Sequence, residues 1–143
     1  MPKSRSKGVF PQAIRRFMTP TPHSIGRDQP LSLAQERMRT LGIRHLPVLD
    51  GGKLVGVLSQ RDAWFVETLP DVDPTRVPVE DAMSTDVYVV PPDALVEEVA
   101  AEMADRKYGC AVIAEGSQIV GIFTTVDALR ALVEAQHATR HDP

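Results

Sequence analysis

The chain repeats its own sequence at a fixed offset of 65 residues, and residues 18–64 align with residues 83–129 without a gap. The clearest repeat is GVLSQRD at 56–62, which returns as GIFTTVD at 121–127 with a glycine, a hydroxyl residue and an aspartate at matching positions. The further identities are Met18 with Met83, Asp28 with Asp93, Met38 with Met103, Gly51 with Gly116, Val55 with Val120 and Ala63 with Ala128. One offset held over this length indicates a tandem duplication, and each copy of about 50–60 residues is small for an independent core.

Each copy has the pattern of a strand, a helix, a hairpin and a second helix. In copy two, β-branched and aromatic residues predict the first strand, apolar residues at helical spacing predict the helix, and two apolar runs around a glycine turn predict the hairpin. The predicted elements are a strand over 87–90, a helix from a candidate N-cap at Asp93 through Met103, strands over 110–114 and 119–123, and a helix opening at Asp127 that carries Leu129, Leu132 and Val133.

Copy one has the same order with weaker signals. Its predicted elements are a poor strand over 22–25, a helix over 33–41, hairpin strands over 45–49 and 54–58, and a helix beginning near Asp62. The predicted fold class is therefore α/β of the α+β type, with two β-α-β-β-α repeats whose helices pack on mixed sheets. The predicted ranges are a flexible basic tail at 1–9, repeat one at 10–70, a proline-rich connection at 71–78, repeat two at 79–137 and a C-terminal tail at 138–143.

Read as a unit, the stretch LGIRHLPVLDGGKLVGVLSQRD at 41–62 resembles the cystathionine-β-synthase (CBS) domain, present here as a tandem pair, or Bateman module. The matching residues of copy one are Met18-Thr19-Pro20, Met38, 42–48, Gly51 and 56–59 with Asp62. The matching residues of copy two are Met83-Ser84, Met103, Gly116 and 121–124 with Asp127. The resemblance covers about residues 10–135.

The resemblance implies two repeats related by a pseudo-twofold axis, with two related clefts. Many modules of this family bind an adenosine-containing ligand there, namely AMP, ADP, ATP or S-adenosylmethionine, and regulate another protein without doing chemistry. Several pair into four-repeat assemblies, so the resemblance also implies a homodimer.

The family joins strand residues of one copy to the hydroxyl-x-x-Asp of the other, and the resemblance carries this arrangement to the present chain. Cleft one then combines His23, Ile25, Ile43 and Leu46 with Thr124 and Asp127, and cleft two combines Val87, Val89, Tyr108, Gly109, Cys110 and Ala111 with Ser59 and Asp62. The residue types suit a nucleoside. An aspartate accepts two hydrogen bonds from vicinal ribose hydroxyls, and a helix N-terminus favours a neighbouring anion.

The two copies differ in charge around their aspartates. Copy one has Arg44 and His45 where copy two has Gly109 and Cys110, and Arg61 precedes Asp62 where Val126 precedes Asp127. We therefore expect the Asp62 cleft to be the better phosphate site. The Asp127 cleft is expected to be empty or to hold a less charged ligand, such as a nucleoside or S-adenosylmethionine.

Every singled-out residue also has a structural explanation. The aspartates Asp62 and Asp127 serve equally well as helix N-caps, worth about 1 kcal/mol each, and Ser59 and Thr124 as ordinary strand-end hydroxyls. His45 alone reads as a structural histidine and Arg61 as a solvated helix residue. Four further residues, Trp64, Phe65, Met38 and Met103, are expected in the core or at a dimer interface, and Cys110 is expected to be a buried, inert thiol.

Composition narrows the function classes. The single cysteine excludes a disulfide framework and a four-cysteine zinc site, and no run approaches the roughly 20 apolar residues of a membrane helix, so a cytoplasmic protein is expected. Residues 1–27 carry six basic and no acidic residues, whereas the remainder has 16 − 6 = 10 basic residues against 19 acidic ones. The acidic body argues against nucleic-acid binding by the folded part.

No catalytic motif, Walker loop or GxGxxG is present, and His137 and His141, four residues apart, lack a third metal ligand. No enzyme activity, catalytic cofactor or metal is therefore expected. The sequence predicts a regulatory module that binds an adenosine-type ligand and signals to a partner protein. Two alternatives stay open, a ligand-free dimerisation scaffold and a nucleic-acid-associated regulator that uses the basic N-terminus.

Overall fold

The structure, a computed structural model, describes residues 12–20 and 23–141. The predicted basic tail at 1–9, residue 22 of the first predicted strand and the last two residues of the chain lie outside the described residues. The described chain divides into two compact units, a first-copy unit of Pro22–Val87 and a second-copy unit of Met1–Thr21 with Tyr88–Pro143.

Over the described residues, each copy contains the predicted β-α-β-β-α order, which confirms the mixed α+β fold class. In chain order the elements are β1 (Thr19–Pro20), β2 (Ile25–Gly26), α1 (Leu31–Leu41), β3 (His45–Asp50), β4 (Lys53–Ser59), α2 (Gln60–Glu67), β5 (Val89–Val90), α3 (Val96–Arg106), β6 (Cys110–Glu115), β7 (Gln118–Thr124) and α4 (Thr125–His141), with 3₁₀ turns at Ile14–Arg16 and Val79–Asp81.

The sheet of the first-copy unit has the strand order β2-β3-β4, with β2 parallel and β4 antiparallel to β3. The β3–β4 turn places Gly51 and Gly52 at φ +58° and +86°, a region that glycine occupies without the strain of a Cβ. Helices α1 and α2 cover the sheet over a core of Ile25, Leu31, Ala34, Met38, Leu46, Val48, Leu58, Ala63, Val79 and Ala82.

The second-copy unit repeats this plan with one more strand, in the order β1-β7-β6-β5. Its core contains Ile14, Val90, Val96, Val99, Met103, Ala111, Ile113, Phe123 and Ala131. Met38 and Met103 are both buried, as predicted for core residues. Trp64 and Phe65 are not in the core, because 57% and 65% of their surfaces are exposed.

Each unit is completed by the segment that precedes the other copy. In the second-copy unit, the Val96 amide at the start of α3 donates to the Gln12 carbonyl (2.9 Å), and the Ile14 amide donates to the Ala94 carbonyl (2.6 Å). In the first-copy unit, the Leu31 amide at the start of α1 donates to the Val77 carbonyl (2.8 Å), and the Val79 amide donates to the Gln29 carbonyl (2.8 Å). These bonds satisfy amides that the first turn of each helix leaves unpaired.

The same preceding segments extend the hairpins. Thr19 and Pro20 pair with Ile122 and Gly121 of β7, and Ser84 exchanges two backbone hydrogen bonds of 2.9 Å with Val57 of β4. A Cβ at Gly56 would lie 2.6 Å from the Met83 sulfur and 2.8 Å from the Ser84 carbonyl oxygen. The glycine repeated at 56 and 121 therefore allows a close backbone approach that any larger residue would prevent.

Several predicted boundaries change. Leu95, not Asp93, is the N-cap of α3, and no side chain caps it, because the Gln12 carbonyl accepts from the first helical amide. Helices α2 and α4 begin two residues before Asp62 and Asp127, so each aspartate is the third residue of its helix. The first strands are shorter than predicted, at two residues each.

Candidate functional site

The α2 helix begins where strand β4 ends, and Ser59 is its N-cap. Ser59 has an extended backbone (φ −96°, ψ 154°), and its Oγ accepts a hydrogen bond of 3.0 Å from the Asp62 amide. This is the usual role of a serine at an N-cap, where its oxygen pairs with an amide of the first helical turn. The cap fixes the position of Asp62 at the end of the hairpin.

Asp62 is half-buried, and its carboxylate makes no contact with a described donor. Within residues 12–20 and 23–141 it has no hydrogen-bond or ion-pair partner. Its negative charge does act on the imidazole of His45, which stands opposite Ser59 in the β3–β4 ladder. A half-buried carboxylate with its lone pairs unused is able to accept hydrogen bonds from a ligand.

Basic side chains surround this end of the first-copy unit. The Arg44 carbonyl accepts from the Gln60 amide (2.9 Å), which holds Arg44 at the start of α2, and Arg61 is the next helical residue. Both arginines are exposed, and neither forms an ion pair with another described residue. We name Arg44, His45, Ser59, Arg61 and Asp62 the Asp62 half-site.

His45 is the partly buried base of the Asp62 half-site. Burial lowers its pKa below the ordinary value of 6.5, the positive charge of Arg44 lowers that pKa further, and the negative charge of Asp62 opposes both effects. The imidazole is therefore neutral at neutral pH, with one ring nitrogen as a donor and the other as an acceptor.

The corresponding aspartate of the second-copy unit has a different environment. Asp127 Oδ2 accepts from the Thr124 amide (2.9 Å) and from Thr124 Oγ1 (3.3 Å), and the Asp127 amide lies 3.5 Å from Thr124 Oγ1. Threonine and aspartate thus satisfy each other's groups at the start of α4, the reciprocal arrangement of a capping box. Asp127 is only 4% exposed, and its Oδ1 faces Arg130 Nη1 at 3.6 Å.

An aromatic pair lies elsewhere on the second-copy unit. The rings of Tyr88 and Tyr108 stack with centroids 5.3 Å apart and planes 15° apart, and the guanidinium of Arg106 lies 5.7 Å from the Tyr108 centroid. Burial and the charges of Glu102 and Glu98 raise the pKa of the Tyr88 hydroxyl. The stacked rings have the geometry of an attractive aromatic contact.

Cys110 begins strand β6 opposite Thr124 and is buried. Burial raises the pKa of its thiol to about 12, so the thiolate, which is the reactive form, is absent at neutral pH. The structure agrees with the prediction of a buried, unreactive cysteine.

The remaining predicted site residues differ in exposure. Ile25, Leu46 and Ala111 are fully or almost fully buried in the cores, so their side chains are not open to a ligand. Ile43 and Val87 are half-buried, whereas Val89, His23 and Gly109 are exposed. The first-copy unit brings together Arg44, His45, Ser59, Arg61 and Asp62, and the second-copy unit brings together Cys110, Thr124 and Asp127. The assignment of each cleft to parts of both copies stays a prediction.

Two contacts of the second-copy unit were not predicted from the sequence. Arg130 contacts Asp127 from three residues along α4, an i,i+3 spacing that the sequence displays. Tyr88 stacks on a residue 20 positions away, and no sequence spacing indicates that contact.

Across the described ranges, no three His, Cys, Asp or Glu side chains lie together as metal ligands. Among the same residues, the helices are too short or too polar to cross a membrane.

Comparison with known proteins gives a consistent family match. A family model described as CBS domain matches residues 14–63 and 79–134. A Vibrio cholerae structure described as an acetoin utilization protein (AcuB) has a TM-score of 0.79 and 30% identity, over 92% of this chain and 97% of that one. The structure of CBSX2 in complex with AMP has a TM-score of 0.76 and 23% identity, over 87% of this chain and 99% of that one, which is a likeness of fold.

A curated relative is the inosine-5'-monophosphate dehydrogenase of Korarchaeum cryptofilum, 31% identical over 105 residues. The match covers 73% of this chain but 21% of the dehydrogenase, so the chain spans about one fifth of that relative's length.

Proposed function

The chain belongs to the CBS domain family, and from that premise we propose that it is a regulatory module that binds an adenosine-containing ligand and catalyses no reaction. The ligand class comprises AMP, ADP, ATP and S-adenosylmethionine. The observation that carries the proposal is the Asp62 half-site, where a carboxylate with no partner among the described residues lies at a helix start that also carries Arg44, His45 and Arg61.

The chemistry of the half-site suits a nucleotide. The Asp62 carboxylate accepts hydrogen bonds from both vicinal hydroxyls of a ribose. Arg44 and Arg61 supply positive charge for a phosphate, and arginine offers a planar fork of donors that matches phosphate oxygens. The neutral His45 adds a ring N–H donor next to the same carboxylate. CBSX2, a protein of the same fold, holds AMP, which supports this ligand class for the present chain.

Regulation follows from differential affinity. A ligand that binds one conformation of the chain more tightly than another shifts the population toward that conformation. The partner protein then responds to the population, so the module needs no catalytic group of its own.

The exposed apolar faces of α2 and α4 support a homodimer. Trp64 is 57% exposed and Leu129 is 61% exposed, and the two occupy the same position in the two copies. Their exposed apolar neighbours are Phe65 on α2, Leu69 just beyond its end, and Val126, Leu132 and Val133 on α4. Large apolar side chains exposed in contiguous helical stripes mark interaction surfaces, and a partner with the same repeated surface is a second copy of this chain.

Thermal denaturation with AMP, ADP, ATP, S-adenosylmethionine and adenosine tests the ligand class. A ligand at 100 times its Kd adds about 2.7 kcal/mol to the free energy of unfolding, which raises the melting temperature by several degrees. We expect the phosphorylated ligands to raise it more than adenosine does, with GMP as a base-specificity control. If none of the five raises the melting temperature, the chain is a ligand-free scaffold and the proposal is wrong.

A further inference from the structure

We propose that the chain binds one adenosine ligand rather than two, because Asp127 caps its own helix whereas Asp62 keeps its carboxylate for a ribose. This inference rests on the proposed function and assigns different roles to two aspartates that the duplication made equivalent.

Both carboxylate oxygens of Asp127 already have a neighbour inside its own unit. Its Oδ2 accepts two hydrogen bonds from Thr124, at 2.9 and 3.3 Å, and its Oδ1 faces Arg130 at 3.6 Å. A ribose that donates to both carboxylate oxygens would have to displace the Thr124 amide from Oδ2 and Arg130 from Oδ1, on an aspartate that is 4% exposed. That displacement leaves a backbone N–H without a partner, which opposes binding.

Asp62 lacks both of these contacts. At α2 the capping acceptor is Ser59 Oγ, which takes the Asp62 amide at 3.0 Å, and no described donor occupies the Asp62 carboxylate. The position equivalent to Arg130 is Phe65, which has no charge to offer. The ribose acceptor of the first-copy unit therefore needs no structural rearrangement before it binds.

The charges around the two aspartates support the same inference. The first-copy unit places Arg44, His45 and Arg61 where the second-copy unit has the uncharged residues Gly109, Cys110 and Val126. The Asp62 half-site therefore combines a carboxylate that no described donor occupies with three basic residues, whereas the matching positions around Asp127 are uncharged.

Titration calorimetry of the full chain with AMP, together with melting temperatures, tests the inference. We expect one AMP per chain. Asp62→Asn should weaken AMP binding at least 10-fold and move the melting temperature by less than about 1 °C. The matched variant Asp127→Asn should keep the affinity within about 2-fold and lower the melting temperature by about 3–5 °C, the shift that loss of one helix cap produces in a chain of this size.

A further variant covers the case in which Asp127→Asn does not fold. Asp127→Glu keeps the carboxylate that a capping box uses at this helical position, so it should melt above Asp127→Asn and bind AMP as the unsubstituted chain does.

Two AMP molecules per chain, or equal losses of affinity for Asp62→Asn and Asp127→Asn, would overturn the inference. If the unsubstituted chain binds none of the adenosine ligands, the proposed function is wrong. The roles of the aspartates are then decided by melting temperature alone, and equal melting of the two asparagine variants would refute the assignment of Asp127 as a cap.

Discussion

At the scale of single residues, burial has the largest effect on the pKa of His45, and two neighbouring charges of opposite sign also change that pKa. Burial and Arg44 lower the pKa of the imidazole, and Asp62 raises it by a smaller amount. The sequence placed His45 next to Arg44 but left open whether it was structural or a phosphate contact. Neither its burial nor its closeness to Asp62 was readable from spacing, because both depend on the β3–β4 register.

The lowered pKa of His45 predicts how stability depends on pH. In the folded chain the pKa lies below 6.5, so between the two values the unfolded chain binds a proton that the folded chain does not. Stability therefore rises with pH in this window and is lost as the pH falls below 6.5. Urea denaturation of the wild type and of His45→Gln between about pH 5 and 7.5 should show the advantage of the wild type shrinking toward acid pH.

The control for this prediction is His23→Gln, which changes an exposed histidine. Its stability should run parallel to that of the wild type across the same pH range. If the difference between wild type and His45→Gln is constant with pH, then His45 does not titrate with a lowered pKa.

At the scale of elements, periodicity predicted the order and type of the helices and strands, and it failed at their ends. The first helix of each copy was recognisable from its apolar spacing. Its N-terminus was misplaced in copy two because a backbone carbonyl from a distant segment, that of Gln12, takes the place of a capping side chain. Capping side chains can be recognised in a sequence. A capping backbone carbonyl from a residue 84 positions away, as Gln12 is from Val96, cannot.

The position of Trp64 on helix α2 also gives a prediction. The sequence predicted that Trp64 lies in a core or at a dimer interface. Because 57% of its surface is exposed, the interface is the prediction that remains. We expect Trp64→Glu and Leu129→Glu each to shift the chain from dimer toward monomer in sedimentation velocity, because each places a charge in a surface that must lose water on pairing.

The control variant is Ala101→Glu, which adds a charge to an exposed position of α3. It should leave the sedimentation coefficient of the wild type unchanged. Trp64 is also the only tryptophan, so dilution of the wild type into the monomer should shift its fluorescence emission to longer wavelength. Unchanged sedimentation of Trp64→Glu would refute the interface.

At the scale of the whole molecule, the duplication was readable from the offset of 65 residues, but the division into units was not. The sequence suggests that each repeat folds with the residues that precede it. Instead, Ile14 is buried with the core of the second-copy unit and Val79 with that of the first-copy unit. Nothing in the sequence around Ile14 or Val79 indicates in which unit either residue is buried.

This crossed arrangement predicts crossed effects of mutation. Ile14→Ala should lower the free energy of unfolding by about 2–4 kcal/mol, the cost of a buried cavity, and should increase hydrogen exchange in β6 and β7 rather than in β3 and β4. The matched variant Val79→Ala removes two carbon atoms instead of three, so its loss should be smaller and its increased exchange should fall in β3 and β4. Exchange that rises in the repeat directly following the substituted residue would contradict the structure.

The crossed segments also set an order of events during synthesis. The first-copy unit is one continuous stretch, so every residue of its core has been made once Val87 has been added. The core that buries Ile14 is complete only when Ala131 has been made, 131 − 87 = 44 residues later. At about 5–20 residues per second this delay is about 2–9 s, long compared with the folding of a small domain. Ile14 is therefore made before the whole first-copy unit but is fully buried after it, and a nascent chain keeps it accessible to chaperones throughout that interval.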